Sequence, residues 1–326
     1  MTERAANRAE AALSSKSYAG DDVKTVYLDH NLIHYFVQGF PLSANEKAER
    51  DALALGLSRY PEIRFAISDW NLTESAQEEG RQGDAMDLLQ LYGDFFVGLK
   101  PLFLPMPIEI ERLEMRSYVY DLLGQEHCRE CVPVFNEHFT QLLAITGIQP
   151  VIGYTARDFL KHLGTNSASL AKIKKNQQDV PTAMRAWQRA RAEGLDKDKE
   201  LQVRINRRWF TSLVPERAHD ERFIPIQERA SLVEKLIRSP AKVYRACPAI
   251  RAESMLASIR SGFAKRDPTP QDAVDLMHAV PPLAYCSAFV TNDTHLHECL
   301  LQASRRLESS LIVTRTLADA INQLAR

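Results

Sequence analysis

Short runs of apolar and β-branched residues alternate with helix-length segments along much of this 326-residue chain, and this alternation most constrains its fold. Four runs are each followed by polar or turn-forming residues: VKTVYL (23–28), IRFAIS (63–68), SAFVT (287–291) and SLIVT (310–314). A fifth run, LFLPMP (102–107), contains prolines that leave room only for a short strand. Helix-length segments lie between the runs, at 44–58, 70–97, 108–123, 270–284 and 294–306. The pattern predicts an α/β fold in which helices cover both faces of a parallel sheet.

The alternation is interrupted from about residue 125 to residue 266, where helical composition replaces the strand signals. We therefore expect a tail at 1–22, a discontinuous domain at 23–124 and 267–326, and a mostly helical insertion at 125–266. Residues 151–217 hold 14 Lys and Arg against 7 Asp and Glu, although the whole chain has a formal charge of -1. A basic insertion on an acidic body favours a polyanionic partner.

Cysteine usage and hydropathy indicate the compartment. Five cysteines are too few, and odd in number, for the disulfide framework of a small secreted protein, so a reducing cytoplasm fits best. The first 22 residues lack the apolar core of a signal peptide, and no run of 18 apolar residues occurs. We expect a cytoplasmic protein that does not associate with a membrane.

Four acidic residues are placed to meet at the carboxyl edge of the expected sheet. Asp29 ends the first run in VYLDHN, and Asp293 ends a later one in FVTND. Glu74 lies one turn into the helix after IRFAIS, and Asp275 lies early in the helix QDAVDLMHAV. Four carboxylates would repel one another unless cations lay among them. Oxygen ligands of this kind suit Mg²⁺ or Mn²⁺, which can activate water against a phosphodiester.

Together these motifs make the chain similar to the PIN-domain ribonucleases. The matching stretches are VYLDHN, ISDWNLTES, DAVDLMHA and FVTNDTHL, and PLFLPMP resembles the short third strand of that fold. The resemblance covers about 23–124 and 267–326. It implies a three-layer α/β/α sandwich with a central five-stranded parallel sheet. It also implies a metal-dependent endoribonuclease that hydrolyses RNA, with a toxin-like or defence role among the options.

The resemblance also assigns roles to individual residues. The acidic quartet of the family, catalytic and metal-binding, is matched by Asp29, Glu74, Asp275 and Asp293. In this assignment Asp29 and Asp293 hold the principal Mg²⁺ or Mn²⁺ ion, and the other two bind a second ion or position its water. Supporting polar positions are matched by Asn31 and Asn292. His30 is a departure, because family members commonly have a small residue at that position.

Structural alternatives remain for these residues. Asp29 and Asp293 stand where Asp commonly caps a helix or forms a turn, and Glu74 fits a first-turn acid favoured by the helix dipole. Asp272 is a supporting candidate, although we expect it to cap the helix after DPTPQ rather than bind an ion. His278 shares a helix face with Asp272 and fits a packed or hydrogen-bonded residue better than a catalytic one.

The basic insertion supplies the candidate RNA-binding residues: Arg185, Trp187, Arg189, Arg204, Arg207 and Arg208. Trp209 lies among the same arginines, and aromatic rings within a cationic surface suit base stacking. The alternative is a set of solvated helix faces, since many Lys and Arg side chains extend into water.

Two other functions remain open at this point: a catalytically inactive PIN-fold protein that binds RNA or acts as a scaffold, and a structure-selective DNA nuclease. The DNA nucleases of the related flap-nuclease group use a richer acidic cluster than this sequence contains. The family resemblance further suggests an antitoxin-like inhibitor protein and a homodimer as partners besides the RNA substrate.

Overall fold

A computed structural model of the chain describes residues 23–37, 43–72 except 69, 74, 93–96, 98–125, 134–136, 158–160, 181–194 except 183 and 187, 199–262 except 219, and 267–326. The strands are β1 (Lys24–Leu28), β2 (Ile63–Ser68), β3 (Leu102–Leu104), β4 (Ala288–Val290) and β5 (Ile312–Thr314). The principal helices are α1 (His30–Val37), α2 (Ala44–Arg59), α3 (Pro107–Leu122), α4 (Lys199–Leu213), α5 (Ile226–Arg238), α6 (Pro240–Ala246), α7 (Pro248–Ser261), α8 (Gln271–Tyr285), α9 (Thr294–Leu307) and α10 (Leu317–Leu324). The predicted tail at 1–22 lies outside the described residues.

The five strands form one parallel sheet in the order β3-β2-β1-β4-β5. All five predicted strands are confirmed, and each is short. Four are largely buried, whereas Ile312 and Val313 of β5 are only half-buried. β1 is central and pairs with β2 and β4, so that Val26 lies opposite Phe65 on one side and Ala288 on the other. Because β1 and β4 are neighbours, the residues that follow them meet at the same edge of the sheet.

Side chains of the sheet alternate between two buried clusters, one on each face. On one face Val26 and Leu28 of β1 pack with α1, α2 and α10. On the other face Tyr27 packs with α3, α7, α8 and α9, and it stacks on Phe289 of β4 with ring centroids 5.2 Å apart. Helices therefore cover both faces of the parallel sheet, an arrangement compatible with a three-layer α/β/α sandwich.

Between residues 199 and 262 the described part of the predicted insertion is mostly helical. A third apolar cluster joins Met115 and Val119 of α3 to Phe210 of α4 and Leu232 of α5. α7 also packs on the sheet, where Leu256 contributes to the same cluster as Tyr27. None of the helices in the described residues is long and apolar enough to cross a membrane.

Candidate active site

Asp29 and Asp293 are linked through the side chain of Thr291. The backbone N–H of Asp29 donates to Val290 O at 3.1 Å, which continues the pairing of β1 with β4. The hydroxyl of Thr291 donates to Asp29 Oδ2 at 2.6 Å, and its oxygen accepts the N–H of Asp293 at 3.1 Å. One hydroxyl thus joins two acidic residues that are more than 250 positions apart in the sequence.

Each of these two carboxylates has one oxygen engaged by the protein. Asp293 Oδ1 accepts the N–H of Leu296 at 2.7 Å, so Asp293 is the N-cap of α9, as its structural alternative proposed. Asp29 also precedes a helix, but its carboxylate bonds to Thr291. Among the described residues, no hydrogen-bond donor reaches Asp29 Oδ1 or Asp293 Oδ2. Both acids therefore retain an oxygen for a cation.

The carboxylate of Asp29 lies in a buried position that favours a nearby cation. Only 4% of the residue is exposed, and burial raises its pKa, although His278, Thr291 and His30 oppose the rise. His30 is itself buried at the start of α1. Because a buried carboxylate is costly to ionise alone, a metal ion beside Asp29 would stabilise its charged form.

His278 of α8 lies in a buried chain of polar side chains that ends at Glu74. Its Nε2 pairs with Glu74 Oε2, and its Nδ1 lies 2.7 Å from Tyr27 Oη. Tyr27 Oη lies 2.7 Å from Ser68 Oγ, which lies 3.3 Å from Asn71 Oδ1. This series of hydrogen bonds therefore runs from the end of β2, through Tyr27 of β1, to Glu74. We call the carboxyl edge of the sheet, where the four predicted acids Asp29, Glu74, Asp275 and Asp293 lie, the acidic edge.

The charge of His278 depends on which group donates in each of these hydrogen bonds. Asn71 Oδ1 also accepts the backbone N–H of Ser68 at 2.7 Å, and its Nδ2 donates to a main-chain carbonyl of β1 at 3.1 Å. Two orders of donors satisfy these distances. When Ser68 donates to Tyr27, Tyr27 donates to His278 Nδ1; when Ser68 donates to Asn71, Tyr27 donates to Ser68 and His278 Nδ1 donates to Tyr27. In the second order both ring nitrogens carry a proton, because Nε2 faces the carboxylate of Glu74.

The pKa shifts of the two partners agree with the second order of donors. Burial alone would lower the pKa of His278, but the charge and hydrogen bond of Glu74 raise it. Burial alone would raise the pKa of Glu74, but His278 outweighs that effect and lowers it to about 2. Glu74 and His278 thus favour a largely buried ion pair, and His278 is a hydrogen-bonded residue, as the sequence favoured.

Arg260 of α7 is a second buried cation at the acidic edge. Its Nη2 pairs with Asp272 Oδ1 and donates to Asp275 Oδ2 at 3.3 Å. Asp272 Oδ2 accepts the backbone N–H of Thr269 at 2.6 Å. The prediction that Asp272 caps its helix is wrong, because the N-cap of α8 is Pro270 and Asp272 is the second residue of the helix, bound to the guanidinium.

Gln271 connects the remaining two acids. Its Nε2 donates to Glu74 Oε1 at 3.4 Å and to Asp275 Oδ1 at 3.3 Å. Burial raises the pKa of Asp275 to about 6, and the charges of Asp29 and Asp293 add to the rise. The four predicted carboxylates therefore share one edge and act on one another electrostatically, but two are bonded through both oxygens.

Other residues at the edge were predicted only in part. Asn31 and Asn292, the supporting candidates, are both exposed. The sequence interpretation missed Thr291, which lies inside the stretch FVTNDTHL, and Gln271, which directly precedes DAVDLMHA, although both side chains can bond a carboxylate. Arg260 lies outside every motif, and no local signal in the sequence connects it to the site.

The basic residues lie on described helices, with one exception: Trp187 is outside the described residues. The arginines are all exposed: Arg185, Arg189, Arg204, Arg207 and Arg208. Trp209 Nε1 donates to Glu111 Oε2 at 3.2 Å, and the ring packs beside the third apolar cluster. Trp209 is therefore a structural residue rather than a base-stacking one.

Two carboxylates at the acidic edge, those of Asp29 and Asp293, could hold a divalent ion. Among the described residues, no three His, Cys, Asp or Glu side chains are grouped so as to hold a metal ion. Mg²⁺, however, commonly uses one or two protein carboxylates, with water and substrate phosphate as its other ligands. The unengaged oxygens of Asp29 and Asp293 suit such an ion, whereas Glu74 and Asp275 suit a supporting role.

Neither a protein-family model nor a curated protein nor a solved structure matches this chain.

Proposed function

We propose that this chain is a PIN-like, metal-dependent endoribonuclease that hydrolyses RNA phosphodiester bonds with Mg²⁺ or Mn²⁺. The observation that supports this most is the pairing of Asp29 with Asp293 at the carboxyl edge of a parallel sheet. Thr291 links the two residues, and each carboxylate keeps one oxygen without a donor among the described residues. Sites in open parallel sheets commonly lie at this edge.

Hydrogen bonds from neighbouring residues hold the carboxylates of Asp29 and Asp293 in fixed orientations. Thr291 fixes the carboxylate of Asp29, and the N-cap bond at α9 fixes that of Asp293. A divalent ion held there would activate water and neutralise charge on the phosphate. Asp275, with a pKa of about 6, can exchange a proton near neutral pH, whereas Glu74, with a pKa of about 2, stays ionised.

The exposed arginines support a polyanionic substrate. Arg204, Arg207 and Arg208 follow i, i+3, i+4 spacing on α4, so they share one face of that helix. A shallow surface pocket of about 430 Å³ includes Arg204 and Arg207 in its lining. Phosphate groups are the expected ligands of such a face, because Lys and Arg supply most of the sequence-independent affinity for nucleic acid.

The test is a cleavage assay on labelled RNA and DNA, single-stranded and structured, with Mn²⁺, Mg²⁺ or EDTA. We expect the wild type to cut RNA only with metal. Asp29→Asn and Asp293→Asn, which remove ligands, should lose at least the roughly 10- to 100-fold of activity that removal of an outer-shell partner costs. Asp51→Asn is the control, because Asp51 is an exposed aspartate on α2. Equal activity in the wild type and both site variants would remove the proposed site.

One observation favours a second candidate function, a catalytically inactive protein that binds RNA or acts as a scaffold. Arg260 and His278 already neutralise part of the acidic edge without any metal. RNA binding without cleavage under every metal condition would establish this alternative. Cleavage restricted to structured DNA would instead indicate the DNA nuclease.

A further inference from the structure

Arg260 belongs to the predicted insertion, yet its guanidinium lies at the acidic edge of the sheet. The apolar face of α7 holds it there, because Leu256 and Ile259 pack in the cluster that covers the sheet. The side chain of Arg260 is only 3% exposed. An arginine remains charged at any physiological pH, so this position carries a permanent positive charge.

Arg260 and Gln271 together leave Asp275 without a free oxygen for a metal ion. Asp275 Oδ2 accepts from Arg260 at 3.3 Å, and Oδ1 accepts from Gln271 at 3.3 Å. Asp272 pairs with the same guanidinium and with Thr269. By contrast, Asp29 and Asp293 each have an oxygen that no donor reaches among the described residues. Arg260 and Gln271 thus divide the acids into an engaged group and an available pair.

The guanidinium of Arg260 contributes mainly its positive charge, because its hydrogen bonding is incomplete. Arg260 Nη1 is buried and has no hydrogen-bond partner among the described residues. A buried donor without a hydrogen-bond partner destabilises the fold. The attraction of Arg260 to Asp272 and Asp275 must offset this destabilisation, because two buried carboxylates without a nearby cation would be less favourable still.

We propose that Arg260 takes the place of a second divalent ion, so that the edge binds a single ion through Asp29 and Asp293. Arg260 is then a positioning residue, which holds Asp275 beside the ion without touching the substrate. This inference rests on the proposed function and deepens it, because the resemblance to PIN-domain ribonucleases leaves open one ion or two.

The experiment counts ions with Mn²⁺ alone, in the absence of RNA. Mn²⁺ is titrated calorimetrically into the full chain, and electron paramagnetic resonance reports whether bound ions are coupled in pairs. We expect one uncoupled ion on the wild type and none on Asp29→Asn. Arg260→Lys keeps a positive charge and should bind one ion, whereas Arg260→Gln releases Asp272 and Asp275 and should bind two.

Arg251→Gln is the matched control, since Arg251 is an exposed arginine on the same helix and should leave the count at one. Two coupled ions on the wild type, or one ion with unchanged affinity on folded Arg260→Gln, would overturn the proposal. If Arg260→Gln does not fold, as circular dichroism would reveal, the counts on the wild type and Arg260→Lys decide.

The same measurements separate this inference from the proposed function. A chain that binds one Mn²⁺ but cuts no RNA removes the nuclease and leaves the one-ion site. A chain that cuts RNA with two coupled ions overturns the role of Arg260 and leaves the nuclease. A wild type that binds no Mn²⁺ overturns the one-ion site and the metal dependence together.

Discussion

Asp293 divides its two carboxylate oxygens between the fold and the candidate site. Oδ1 accepts the N–H of Leu296 at the start of α9, and no donor among the described residues reaches Oδ2. Asp and Asn are comparable N-caps, but only Asp carries the charge that a divalent ion requires. Substitution can therefore separate the two roles.

We expect Asp293→Asn to change the free energy of unfolding by less than about 0.5 kcal/mol in EDTA, because the amide oxygen still caps α9. The same variant should lose Mn²⁺ binding. Asp293→Ala should lose Mn²⁺ binding as well and also lower the free energy of unfolding by about 1 kcal/mol. Urea denaturation and calorimetry measure the two effects. Equal destabilisation by both variants would contradict the capping role, and Mn²⁺ binding by Asp293→Asn would contradict the ligand role.

The sequence predicted all five strands but not two of the short helices. The strands are apolar runs bounded by turn-forming residues, and this local pattern is enough to predict them. Two helices of eight residues, His30–Val37 and Leu317–Leu324, were not predicted. The first has apolar residues at helical spacing (Leu32, Ile33, Phe36 and Val37), but it is only two turns long and follows β1 directly. The second has a capping signal, since the side chain of Thr316 accepts the N–H of Asp319 at 3.2 Å.

In the candidate site too, residues with a local sequence signal could be predicted and residues placed by tertiary packing could not. Asp29 and Asp293 follow strands, and parallel strands bring their carboxyl ends to one edge, so their proximity could be predicted. Arg260 could not be predicted to join them, because its position depends on how α7 packs across the sheet. Tertiary packing of this kind leaves no period or motif in the sequence.

The arginine-rich face of α4 gives a prediction for RNA binding. Arg207 already donates to Glu234 through Nε at 3.0 Å and Nη2 at 3.2 Å. Reversing Arg207 and Arg208 to Glu should weaken RNA binding and flatten its salt dependence, and Arg208→Glu alone should account for most of the loss. Fluorescence anisotropy at several salt concentrations measures the slope, which should fall by about 1 for each phosphate contact removed.

Lys47→Glu is the control for this charge reversal, because Lys47 is exposed on α2, away from α4 in the sequence. It should leave the salt slope unchanged. If the double variant Arg207→Glu/Arg208→Glu binds RNA as the wild type does at every salt concentration, this face does not contact RNA.

α3 joins the sheet-side helices to the insertion through two buried glutamates, Glu111 and Glu114. Glu114 accepts the backbone N–H of Ala249 at 2.8 Å near the start of α7, and it also accepts the hydroxyl of Tyr285 on α8. Glu111 accepts from Trp209 of α4. The carboxyl groups of Glu111 and Glu114 thus lie where α3, α4, α7 and α8 meet. The stability of this junction depends on whether these groups are protonated.

The pH dependence of stability tests this junction. Burial raises the pKa of Glu114 from 4.5 to about 7, although its hydrogen-bond donors oppose the rise. The folded chain therefore binds this proton more tightly than the unfolded chain does, and the stabilisation is lost as the pH rises through about 7. The loss attributable to Glu114 amounts to about 3 kcal/mol of unfolding free energy between about pH 4.5 and pH 8.

We expect Glu114→Gln to reduce the fall of the unfolding free energy between pH 5 and pH 8, because the amide oxygen still accepts from α7 but no longer titrates. Urea denaturation at unit steps of pH gives the slope for each chain. Glu298→Gln, an exposed glutamate on α9, should keep the wild-type slope. A slope in Glu114→Gln equal to that of the wild type would show that Glu114 is already ionised in the folded chain at pH 5. The junction would then be held by a buried carboxylate anion, which the donors from α7 and Tyr285 would have to stabilise alone.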